Sequence, residues 1–196
     1  MTYAMAAGCS HTAGVGIELY DCYTSCVSRH YNMPVLNLGV PSGNHTHVLM
    51  NIVKTLNAEH RPAFVIAQWP NPIRRTVWTN GVKQLQNIHN AGPAFALLLK
   101  NGEENFYEDW LQSIIVGNLL CKLAKVPVVN IMLEDIEDCY HVRLGNENIT
   151  LHTDQKLPGL TWLFDSAATD QVHHSAYCHG QWADRLIGLI DEITTR

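Results

Sequence analysis

Residues 3–16 read YAMAAGCSHTAGVG, and the break inside this stretch decides how the chain folds. A short apolar run stops at Gly8-Cys9-Ser10, and apolar residues at helical spacing follow: Val15, Leu19, Cys22/Tyr23 and Cys26/Val27. A strand that passes through a glycine into a helix is the opening of a β-α-β unit. The same alternation continues down the chain. Residues 34–39 read as a second strand, and Val48, Leu49, Ile52, Val53 and Leu56 mark a second helix with Ser42 or Asn44 as its N-cap. Residues 63–69 form a third strand, apolar enough to be covered on both faces. Residues 106–123 read as a long helix, 126–133 as a fourth strand and 182–193 as a last amphipathic helix. Residues 134–160 fit neither period, and 160–164 read as a short final strand. The order predicts an α/β protein, a three-layer α/β/α sandwich around a mostly parallel, flavodoxin-like sheet of four to five strands.

Bulk composition narrows the classes. A chain of 196 residues suits one domain spanning 1–196, with the Asn-, Pro- and Gly-rich residues 70–102 as a loop insertion near the site. It is 46% hydrophobic and 16% charged, which provides a core and argues against disorder. The net charge is −5 and no Lys/Arg cluster occurs, so neither nucleic acid nor an anionic membrane is an expected partner. No apolar run approaches the ~20 residues of a membrane span, and the N-terminus lacks a basic region followed by an apolar one. A soluble, cytoplasmic protein is expected. The six cysteines lack zinc-ribbon spacing, and Cys22 and Cys26, four apart, read as core thiols rather than ligands. His45-x-His47 and the other histidines match no familiar zinc pattern, so neither metal nor cofactor is expected.

In parallel α/β sheets, sites form beyond the carboxyl ends of the strands. After strand one comes Gly8-Cys9-Ser10-His11-Thr12, where Ser10 is either an N-cap or a nucleophile whose own N–H helps hold an oxyanion. After strand two comes Asn37-Leu-Gly39-Val-Pro-Ser42-Gly43-Asn44, a capped turn or a close backbone approach to a ligand. After strand three comes Gln68-Trp69-Pro70-Asn71-Pro72, with Asn71 as a fixed side-chain donor or part of a plain turn. Arg74 and Arg75 follow, either solvated or ready for a carboxylate or sulfate on a substrate. Before the last helix stands Asp170-Gln-Val-His173-His174, where a carboxylate three residues ahead of a histidine can orient its ring. A hydrolytic serine needs a base, an orienting acid and oxyanion donors, and all four candidates fall at loop positions of one sheet.

These blocks resemble the SGNH hydrolases, also called the GDSL esterase/lipase family, in the same order and over nearly the whole chain. Gly8-Cys9-Ser10, with Thr12, resembles the nucleophile block. Asn37 through Gly43 resembles the glycine block, Trp69-Pro70-Asn71-Pro72 the asparagine block, and Asp170-Gln-Val-His173 the final block. The resemblance implies Ser10 as nucleophile, His173 as base and Asp170 as orienting acid. It implies oxyanion donors from the Ser10 N–H, the Gly43 N–H and the Asn71 side chain. Apart from the resemblance, Arg74, His11 and Trp69 are candidate substrate-binding residues. Cys9 replaces the usual Asp. One extra residue between Gly39 and Gly43 leaves Gly39, Ser42 or Gly43 as the donor. Gln68 rivals Asn71, and His174 stands beside His173 where Pro is common. The pairing of GCSHT with Asp-x-Val-His is similar to divergent SGNH-type proteins of bacteriophage genomes.

The implied activity is hydrolysis of a small O-acyl ester, as an esterase or carbohydrate O-deacetylase, through an acyl-serine. A catalytically inactive module on the same scaffold is the alternative. A flavodoxin-like phosphate binder fits less well, because the Gly8–Thr12 turn lacks a phosphate-cradling glycine set.

Overall fold

The computed structural model describes residues 2–72, 74–79, 82–86, 103–132, 141–144, 147–150 and 173–194. Four parallel strands form the central sheet: β1 (Ala4–Gly8), β2 (Val35–Gly39), β3 (Val65–Trp69) and, sixth in chain order, β6 (Val128–Met132). Their spatial order is β2-β1-β3-β6. β1 pairs with β2 from Ala4↔Val35 to Gly8↔Gly39, and β3 with β6 from Val65↔Val128 to Trp69↔Met132. The carboxyl ends of β1, β2 and β3 therefore emerge along one edge.

The period of two along each strand divides the core into two layers. Ala4, Ala6, Ile66, Val129 and Ile131 face one way, against α2 (Tyr23–His30) and the C-terminal helix α5 (Ala176–Thr194). Met5, Ala7, Val65, Ala67 and Trp69 face the other way, against α3 (His45–Leu56) and α4 (Glu103–Ala124). β1 and β3 are thus covered on both sides, as the apolar reading of residues 63–69 requires, whereas the edge strand β2 leaves Leu36 exposed. Fully burying one such aliphatic or aromatic side chain stabilises by about 1.5–3 kcal/mol.

Asn44, not Ser42, caps α3. Its side chain accepts the His47 N–H at 3.2 Å, and the His47 ring returns to the Asn44 N–H at 3.5 Å. His47 is thereby explained as a capping residue.

The helix after β1 departs from the sequence expectation. α1 is a single turn, Ser10–Ala13, closed by Gly14 at φ 76°. Glycine takes this left-handed geometry without a Cβ penalty, so the helix stops there. The Gly14 and Val15 N–H groups donate to the His11 and Ser10 carbonyls. The chain restarts as a 3-10 turn at Leu19–Asp21 and then as α2, so Val15 and Leu19 do not belong to a continuous helix.

Two antiparallel hairpins also occur: β4 (Arg75–Thr79) with β5 (Val82–Gln86), and β7 (His141–Leu144) with β8 (Glu147–Thr150). The first lies within the stretch read as a loop insertion, and the second within the unassigned stretch. The short strand expected at 160–164 lies outside the described residues. Among the described residues, Cys9, Cys22, Cys26, Cys121 and Cys178 are free thiols. Burial pushes the Cys121 thiol up to about 12, which keeps it protonated and inert. No described helix is long and apolar enough to cross a membrane.

Candidate active site

The turn after β1 is built around a close approach. A Cβ on Gly8 would run into Thr12 Oγ1 and Gln68 Oε1, so only glycine lets β3 lie this near to α1. Gln68, fully buried near the end of β3, fills that space. Its Oε1 accepts the Cys9 N–H at 2.8 Å and the Thr12 hydroxyl at 2.6 Å, while its Nε2 points at Cys9 Sγ at 3.3 Å. Thr12 gives its one proton to Gln68, so the Tyr23 hydroxyl, 2.9 Å away, is the donor to Thr12 Oγ1. Burial raises the Tyr23 phenol well above its ordinary value, which keeps that proton in place. From β2, the Asn37 amide donates to the Thr12 carbonyl at 2.6 Å and to Thr24 Oγ1 at 3.1 Å. Leaving one such buried group unpaired costs about 1–3 kcal/mol, so the network holds the turn rigidly. Gln68 is therefore a fastener of the serine turn, not a free rival to Asn71.

Ser10 is the first residue of α1, and Cys9 is the N-cap, without a side-chain cap bond. This overturns the capping reading of Ser10. The residue is 6% exposed, and among the described residues its hydroxyl has one hydrogen-bond contact, to Cys9 Sγ at 4.0 Å, too long to hold it. The Ser10 N–H is one of the open donors of a first turn, with no partner among the described residues.

The backbone candidates after β2 separate clearly. Gly39 N–H donates to Asn37 Oδ1 at 2.9 Å, and Gly43 N–H donates to the Val40 carbonyl at 2.7 Å. Both are engaged. Ser42 sits between them at φ 61°, exposed, and its N–H has no partner among the described residues.

After β3 the chain turns at Asn71, whose carbonyl accepts the Arg74 N–H at 3.1 Å. The Pro70 carbonyl accepts the Trp110 indole N–H at 2.7 Å, which pins this turn to α4. Trp69 is not at the surface of the site. It is fully buried, its indole N–H donates to Asn130 Oδ1 at 2.8 Å, and its ring packs against Gly117. Its place on the α4 side of β3 makes it a core residue, which corrects the expectation of a substrate contact.

The far end of the chain returns to this turn. The ring of His11, the residue after Ser10, stands edge-on to His173 at 5.3 Å and to His174 at 4.9 Å between centroids. His174 is buried and His173 is half-exposed. His11, His174, Cys178, His179 and Trp182 line a cavity of about 10 Å³, room for about one water. His179 Nδ1 accepts the Tyr23 N–H at 3.3 Å, and the two rings stack 5.9 Å apart. Burial, then the neighbouring histidines, depresses three of these rings: His11 to about 3, His174 to about 4 and His179 to about 4. They are neutral imidazoles at neutral pH. Asp170 lies outside the described residues.

The strand ends thus gather Ser10, His11, His173 and His174. Sequence reasoning missed two parts: the Gln68 clamp and the packing of His11 against the C-terminal histidines. A glutamine at the end of an otherwise apolar strand was a readable signal for the first. Among the described residues, no three His, Cys, Asp or Glu side chains are placed to hold a metal ion.

Neither a protein-family model nor a curated protein sequence matches this chain. Solved structures do. SGNH-hydrolase and G-D-S-L lipolytic proteins are among the structures it resembles. AlinE4, an SGNH-hydrolase family esterase, superposes with a TM-score of 0.43 at 16% identity, over 67% of this chain and 59% of AlinE4. A protein assigned to the lipolytic G-D-S-L family from Desulfitobacterium hafniense DCB-2 gives 0.40 at 15% identity, over 95% of this chain and 99% of its own. A member of the same lipolytic family from Veillonella parvula DSM 2008 gives 0.34 at 13% identity, over 66% of this chain and 78% of its own.

Proposed function

We propose that the chain is a serine hydrolase that cleaves a small O-acyl ester, as an esterase or carbohydrate O-deacetylase. The observation that carries this reading is the Ser10 hydroxyl. It is buried at the end of β1, has no capping task, and follows directly on a network that fixes its backbone. Ser10 also lies one residue from a ring that packs against two C-terminal histidines, which supports a histidine base close to this serine.

In this reading His173, the half-exposed member of the pair, takes the proton as Ser10 Oγ attacks the acyl carbon. An acyl-serine forms and the alcohol leaves with that proton. Water then attacks with His173 again as base, and Asp170 orients the ring. The Ser10 N–H and the Asn71 side chain hold the oxyanion. The third donor is the Gly43 N–H if it releases Val40, or the Ser42 N–H without such a release. Each donor contributes about 2.7–4 kcal/mol to the transition state.

The test is a series of p-nitrophenyl esters from acetate to long chains. Acetate is expected to be hydrolysed faster than octanoate or longer, because no large apolar lid stands out in the sequence. Faster long-chain turnover would contradict the small-acyl part of the reading. An absence of turnover across the series would favour the inactive module.

A further inference from the structure

Resting on the esterase reading above, we infer that Arg74 is an anion-recognition residue of this site and that the natural ester carries a carboxylate or sulfate near its scissile bond. The turn that ends β3 supplies the geometry. Asn71 stands between Pro70 and Pro72, its carbonyl accepts the Arg74 N–H at 3.1 Å, and the Pro70 carbonyl is pinned by Trp110. Arg74 is thereby folded back beside Asn71, at the edge where β1 and β3 end together. Its Nη1 is shielded from solvent and has no hydrogen-bond partner among the described residues. A guanidinium N–H withdrawn from water without an acceptor is costly, and a carboxylate or sulfate matches its planar fork.

Other arginines show the contrast. Arg29 donates to the Tyr20 carbonyl and lies over the Tyr20 ring, Arg61 donates to the Ala124 carbonyl, and Arg185 is exposed to water. The Arg74 charge also reaches Ser10's neighbour, since it is among the charges that disfavour a proton on His11. His11 Nδ1 is itself shielded and without a partner among the described residues.

The experiment has a binding arm and a kinetic arm. Calorimetry compares benzoate with its neutral isostere benzamide on the wild type, Arg74→Lys and Arg74→Gln. Hydrolysis compares 4-acetoxybenzoate with phenyl acetate on the same proteins. The wild type is expected to favour the anionic member by about tenfold in each arm. Arg74→Gln is expected to bring both ratios to about one, with Arg74→Lys between them. Equal wild-type affinities for benzoate and benzamide, or a preference that persists in Arg74→Gln, would overturn the assignment. Hydrolysis of neither ester would reject the esterase reading alone, because the binding arm still decides the role of Arg74. A preference confined to binding and absent from hydrolysis would overturn the claim that the anion lies near the scissile bond.

Discussion

Replacing Ser10 by alanine is expected to lower the turnover of an acetyl ester by a factor on the order of 10⁴–10⁶, with the melting temperature essentially unchanged. The two halves of this result come from separate observations. The loss follows from the proposed role of Ser10 Oγ as the atom that forms the acyl-enzyme. The unchanged stability follows from the hydroxyl's isolation: among the described residues its one hydrogen-bond contact is the 4.0 Å approach to Cys9 Sγ, and Cys9 rather than Ser10 occupies the cap. A capping serine would cost about 1 kcal/mol when truncated, whereas an idle side chain stays within about 0.5 kcal/mol. Steady-state kinetics and a thermal melt on the same preparation check both halves. A variant that keeps its turnover would remove Ser10 as nucleophile. One that melts several degrees lower would restore the structural reading of this serine.

The second large effect is on stability at acid pH. His11, His174 and His179 have an ordinary value of 6.5 in the unfolded chain, but in the fold they are held near 3, 4 and 4. Between those values the unfolded chain binds more protons than the folded one, so stability falls as pH falls. It is complete above about pH 6.5, drops through the interval and levels out below the folded values. Each pH unit of separation is worth about 1.4 kcal/mol per group, although three rings in one cluster do not add independently. Urea unfolding at about pH 7.5 and about pH 5 is expected to show a marked loss at the lower value. The loss should shrink in His179→Gln, whose amide oxygen can still accept the Tyr23 N–H. Equal stability at both pH values would mean that the cluster is solvated, not buried.

Much of the architecture could be read from local pattern. The alternation of Ala4, Ala6 with Met5, Ala7 looks like one apolar run in the sequence, and both sets are indeed covered because helices lie on both faces of the sheet. Asn44 was readable as a cap because capping is decided within three residues. The length of α1 was misread for the opposite reason: apolar spacing at Val15 and Leu19 suggested a helix, while Gly14 stopped it. Trp69 shows the limit of proximity in sequence. It lies two residues before Asn71, yet the pleat of β3 turns it into the α4 layer. Ser10 and His173 could be nominated by residue type and order. The contact of His11 with His173 and His174 joins opposite ends of the chain, and no local pattern encodes it.

The most direct measurement of the central claim, that Ser10 reacts with the help of His173, is peptide mapping by mass spectrometry after exposure to a fluorophosphonate. The account predicts one phosphonyl adduct, on Ser10, with strongly slowed labelling in His173→Ala. No adduct in the folded wild type, or an adduct on a different residue, would contradict it.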